Sequence, residues 1–154
     1  MRPLIILISA FIVSLLATKL FLGSIDIVLA GRVAMSIMLL FTAIGHFAFA
    51  QGMTLMIPES IPFRKEIVYF TAADEIAAAI GLLIPEFCVV TGWLLIIFFI
   101  VILPANINAA KENINFVKAN TEGPGTEYLW FRIPLQLFFI AWVYYFAIHL
   151  QNFR

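Results

Sequence analysis

Charge is scarce in this chain. Only 12% of its 154 residues are Asp, Glu, Lys or Arg, whereas 64% are hydrophobic. Soluble domains are about half apolar and about a quarter charged, so the composition excludes an ordinary water-soluble globule and indicates an integral membrane protein. Cysteine is nearly missing. Cys88 stands alone, which rules out an internal disulfide or a C-x-x-C pair and leaves a buried apolar thiol as the plain reading. Histidine occurs only as His46 and His149, in no H-x-x-x-H or E-x-x-H spacing, so no metal site is expected. Nine basic residues balance nine acidic ones, and no basic cluster suggests a nucleic-acid surface. No Gly-rich phosphate loop, nucleophile elbow or Ser-His-Asp set is present. No cofactor site is evident on these grounds.

Long apolar runs are abundant instead. About 20 apolar residues cross a hydrocarbon core, and five segments approach that length: Pro3–Leu22, Gly31–Ala50, Glu66–Ile84, Gly92–Asn108 and Tyr128–Leu150. The expected fold is an all-α integral membrane helical bundle, with residues 1–154 forming one transmembrane domain. The first run has a charged start, and Val28-Leu29-Ala30 loosely fits a cleavage site. Its apolar stretch exceeds a normal signal-peptide core and Asp26 interrupts the approach, so it reads as a retained helix. With five spans, Arg2, Arg64, Lys65, Lys111, Lys118 and Arg132 fall on one side, against Lys19, Arg32 and Arg154 on the other. That asymmetry favours a cytoplasmic N-terminus.

Two connections carry information. Gln51–Lys65 is too apolar for a solvated loop and, with Pro58 and Pro62, too broken for a helix. It reads either as a flap over the bundle mouth or as a loop on the headgroups. Lys111–Glu127 is polar, turns at Gly123-Pro124-Gly125, and reads as a solvated connector.

Asp74 and Glu75 lie side by side within Glu66–Ile84. A carboxylate at mid-bilayer costs about 2.5–3.5 kcal/mol on insertion scales, so these acids need polar neighbours. Adjacent helical residues diverge by about 100°, which sends them to different faces. Ala72, Ala73, Ala77, Ala78, Ala79 and Gly81 on the same segment allow close approach of other helices. His46 and Arg132 are the expected partners, with Gln136 one turn beyond Arg132 and Asn106 just past Pro104. Each has a plainer reading. A lone His packs, an interfacial Arg snorkels, and Asn106 with Asn108 caps a helix end. The aromatic residues Trp93, Tyr128, Trp130, Trp142, Tyr144 and Tyr145 read mostly as interfacial anchors.

The order of motifs resembles the DoxX-like family of small membrane proteins. The match runs through Gly45-His46-Phe47, Gly52-Met53, Met56-Ile57-Pro58 and Ile61-Pro62. It continues through Glu75-Ile76, Gly81-Leu82-Leu83, Gly92-Trp93, Pro104-Ala105-Asn106-Ile107 and Arg132-Ile133-Pro134 with Gln136. The resemblance implies a four-helix core to which Pro3–Leu22 is added, and polar positions at His46, Glu75, Asn106, Arg132 and Gln136. Asp74 departs from the family pattern, as do Glu86 and Cys88 where basic residues are usual. Members are described as subunits linked to thiosulfate–quinone oxidoreduction, as partners of redox enzymes and as membrane chaperones.

The expectation is therefore a multi-pass protein of the cell membrane. It binds a lipophilic small molecule, or serves as accessory subunit or chaperone to a membrane partner or a second copy. His46, Asp74, Glu75, Asn106, Arg132 and Gln136 form its polar core. A quinone-linked oxidoreductase subunit, with quinone as the cofactor, is the alternative. A proton-coupled transporter ranks last, because no internal repeat is present.

Overall fold

The computed structural model describes residues 2–150. All regular structure among them is helical apart from one isolated bridge between Asn115 and Asn120. Arg154, one of the charges used for sidedness, lies outside the described residues.

Local chemistry sets the helix boundaries. Helix α1 spans Arg2–Leu22 and stops at Gly23, whose φ of 72° suits glycine. Asp26 then caps α2, Ile27–Ala48, by accepting a hydrogen bond from Leu29 N at 2.9 Å. This cap starts the helix ahead of Gly31, where apolar periodicity alone places it. The segment that reads as too broken for a helix contains one: α3, Ala50–Met56. Its prolines, Pro58 and Pro62, lie beyond the end of α3 and break only the stretch leading to the next helix.

Helix α4 runs Arg64–Gly81 and α5 runs Pro85–Val101, with Pro85 in its first turn. Pro85, just past the expected Glu66–Ile84 run, thus opens the next helix, ahead of the anticipated Gly92. A break at Ile102 separates α5 from α6, Leu103–Lys111, which carries Pro104 in its first turn. After an irregular stretch, a 3-10 turn at Thr126–Tyr128 leads into α7, Leu129–Val143. The final turn, Tyr144–His149, widens to π-helix.

Four helical runs are long and apolar enough to cross a membrane: Arg2–Leu22, Ile27–Ala48, Pro85–Lys111 and Thr126–His149. Helix α4 is not among them. It carries Arg64, Lys65, Glu66, Asp74 and Glu75 within 18 residues, and it packs on α2, α3 and α5. Ala72, Ala78 and Ala79 are buried in that packing, as the stripe of small residues implied.

The main core joins Leu7 of α1, Met35, Met38 and Leu39 of α2, and Leu82, Leu95 and Val143, all fully buried. Large apolar side chains, including Leu20, Phe70, Leu94, Ile97 and Leu137, point outward and are exposed. The chain therefore keeps oily groups on both its inside and its outside.

Candidate functional site

The six polar residues singled out from the sequence do not form one network. The structure divides five of them between two places and leaves Asp74 apart. In the first, His46 in the last turn of α2 meets Glu75 on α4, with Nδ1 3.2 Å from Oε2. The same Nδ1 lies 3.0 Å from the Thr42 carbonyl. A ring nitrogen facing two acceptors carries the proton, so geometry assigns the hydrogen to Nδ1. The Glu75 side chain is 6% exposed and that of His46 18% exposed. Beside them, Phe47 stacks on Tyr69 at 5.8 Å between ring centres, fastening the same two helices.

Asp74 joins neither group. It is half-buried, on the flank of α4, and no hydrogen bond or ion pair ties it to the other five. The expected divergence of the two acids holds, and Glu75 is the one that turns inward.

The second group lies where α6 meets α7. Asn106 Nδ2 donates to Gln136 Oε1 at 3.2 Å, and Gln136 Nε2 donates in turn to the Phe99 carbonyl. Phe99 sits three residues before the break at Ile102. Both amides are buried. Asn108 is engaged elsewhere, donating to the Met56 carbonyl at 3.0 Å and so tying the end of α3 to α6.

Arg132, expected as a partner for the buried acids, is not one. Its guanidinium lies over the Tyr128 ring, 5.7 Å from the centroid. The reason is topological. Arg132 occupies the first turn of α7, which packs on α6, while Glu75 lies on α4, which packs on α2, α3 and α5. Among the described residues the ion pair formed is that of His46 with Glu75.

Arg132 instead lines a cavity of about 240 Å³, together with Asn106, Tyr128, Ile114, Phe116 and Ala110. Helix α3 bridges this cavity and the His46–Glu75 pair. Its Met53 packs toward Val68 of α4 on one side and toward Met56, Ala109 and Ile114 on the other. Close approach is made possible by Gly52, because a Cβ there would overlap the Phe116 carbonyl. The 112–125 connector is therefore part of the site rather than a purely solvated loop: Ile114 is buried, and Phe116 lies edge-on to Phe49.

Sequence reasoning misses several of these contributors. Tyr128 reads as an interfacial anchor, although its position one turn before Arg132 places its ring under that guanidinium. Arg32 reads as one of the flanking positive charges, yet it is buried. Nothing in its local pattern marks it as inward-facing.

The first cluster can hold a proton between an imidazole and a carboxylate. The second offers a cation and an amide beside apolar walls. No group of His, Cys, Asp and Glu able to hold a metal ion occurs among the described residues. Comparison with curated proteins gives no match, and comparison with solved structures gives none either. A family model does match, over residues 35–147, leaving α1 outside while including all six polar residues. On that match the chain belongs to the family described as Domain of unknown function (DUF8561).

Proposed function

We propose that this chain is a multi-pass membrane protein that holds the polar head of an amphiphilic small molecule in the cavity beside Arg132. The observation that carries this reading is the composition of that cavity. Arg132 supplies a cation and Asn106 an amide, and Ala109, Ala110, Ile114 and Phe116 supply apolar wall. Arg132 has no acidic partner among the described residues, so its charge is available to an occupant.

Size narrows the occupant. Sites for drug-sized molecules run to about 300–1,000 Å³, and this cavity is about 240 Å³. It fits a head group, with the tail running out along the oily surface. A carbonyl or carboxylate head accepts hydrogen bonds from a guanidinium and an amide; a quinone ring belongs to this class, as does a fatty acid. The four long apolar runs and the outward Leu94, Ile97 and Leu137 support a bilayer setting. The resemblance of the motif order to that of DoxX-like proteins agrees with a binding or accessory role.

Photoreactive amphiphiles test the reading. An azido-quinone and a photoactivatable fatty acid are applied separately to the protein in membranes. Labelling concentrated on peptides covering 106–132, and reduced in Arg132→Gln, supports it and shows which head is preferred. Labelling spread evenly over the outward helix faces, alike in wild type and variant, refutes it.

A further inference from the structure

We propose that Arg32 anchors a second site, for a phosphate-bearing anion, at the end of the bundle opposite Arg132. Arg32 stands in the second turn of α2 and is only 5% exposed. Its Nε has no hydrogen-bond partner, and neither has Ser36 Oγ, one turn along the same helix. No acid among the described residues pairs with the guanidinium. A buried cation left in this condition is strongly disfavoured unless something completes it.

The surroundings show where the partner must come from. The crevice at Arg32 is lined by Gly31, Leu82, Trp142, Phe146 and Ala147 and has no room for a water-sized sphere. The polar group of Trp142 is already committed, since Nε1 donates to the Gly31 carbonyl at 3.0 Å. The crevice therefore offers Nε no solvent, and the 5% of Arg32 that stays exposed is where an anion can meet the guanidinium.

That surface lies at a definite level. Leu82 caps the end of α4, Arg32 is near the start of α2, and Phe146 and Ala147 belong to the final turn. Ile27–Ala48 and Thr126–His149 are two of the runs long enough to cross a bilayer, and the start of the one and the end of the other fall toward the headgroups, where phosphates lie. The planar fork of a guanidinium matches two phosphate oxygens at once, more closely than an ammonium does. The phosphate comes either from a lipid head or from free inorganic phosphate. Arg132 opens α7 and Trp142 lies about 15 Å of helix further on, so loss of one site leaves the other measurable.

Trp142 borders the crevice and reports on it once Trp93→Phe and Trp130→Phe leave it the sole tryptophan. The protein is placed in bicelles with brominated phosphatidylglycerol or, separately, brominated diacylglycerol, which lacks phosphate. The phosphate-bearing guest is expected to quench Trp142 at about tenfold lower concentration, the scale of a charge-assisted hydrogen bond, and Arg32→Gln to abolish that difference. Inorganic phosphate that suppresses quenching identifies the free anion as an occupant; no suppression identifies the lipid form. Equal quenching by the two guests, or a preference that survives Arg32→Gln, overturns the proposal. Should Arg32→Gln fail to fold, the wild-type comparison decides alone.

Discussion

Nδ1 of His46 stands 3.2 Å from Oε2 of Glu75, joining the last turn of α2 to the middle of α4 inside an otherwise oily bundle. Breaking one side of such a pair strands the other. Glu75→Ala is therefore expected to cost about 3–5 kcal/mol of stability. Glu75→Gln keeps an acceptor for the Nδ1 hydrogen and should cost clearly less. Denaturant unfolding in micelles measures both. A double-mutant cycle with His46→Gln isolates the coupling, and additive losses would remove the pair from the explanation.

Gln136 is the joint of the second cluster, accepting from Asn106 and donating to the Phe99 carbonyl. Gln136→Leu fills similar space but abandons both. About 1–3 kcal/mol of destabilisation is expected, because the partner groups stay buried. Thermal unfolding should show it, and Asn106→Ala in the same background should then add little.

Gly52 carries a steric prediction. Any side chain there meets Phe116, whose Cα would stand 2.7 Å from an added Cβ. Gly52→Ala should push the 112–125 connector away from α3 at a cost of about 1–3 kcal/mol. Faster proteolysis within that connector is the expected readout. An unchanged cleavage rate would mean that the connector adapts without leaving α3.

The fold is legible wherever punctuation and hydropathy agree. The apolar runs are helical, but their starts are only partly legible: hydropathy places them at Gly31 and Gly92, whereas the Asp26 cap and the Pro85 ring begin α2 and α5 earlier. Helix α3 is not legible, because Pro58 and Pro62 dominate the segment and Ala50–Met56 is too short to show a period. For the site, burial of a carboxylate demands an inward partner, and His46 answers for Glu75. Pairing Arg132 with an acid fails for a different reason. Which helix neighbours which is a long-range property, and charge complementarity alone does not choose between α4 and α7. Arg32 is hidden by its place near a helix start, where a basic residue normally reads as a flank.

Arg132 governs the proposed function, and its variants separate binding from folding. Arg132→Lys keeps the charge but loses the fork, so it should retain part of the affinity, whereas Arg132→Gln should lose about tenfold. Both are expected to unfold near the wild-type midpoint, since the guanidinium contacts Tyr128 rather than a buried acid.

Native mass spectrometry of the protein released from micelles is the most direct measurement. Wild type should carry one amphiphile per chain, and the adduct should fall sharply in Arg132→Gln while the protein stays folded. A wild-type chain that emerges bare, or an adduct equally abundant in both, would contradict a binding role for this cavity.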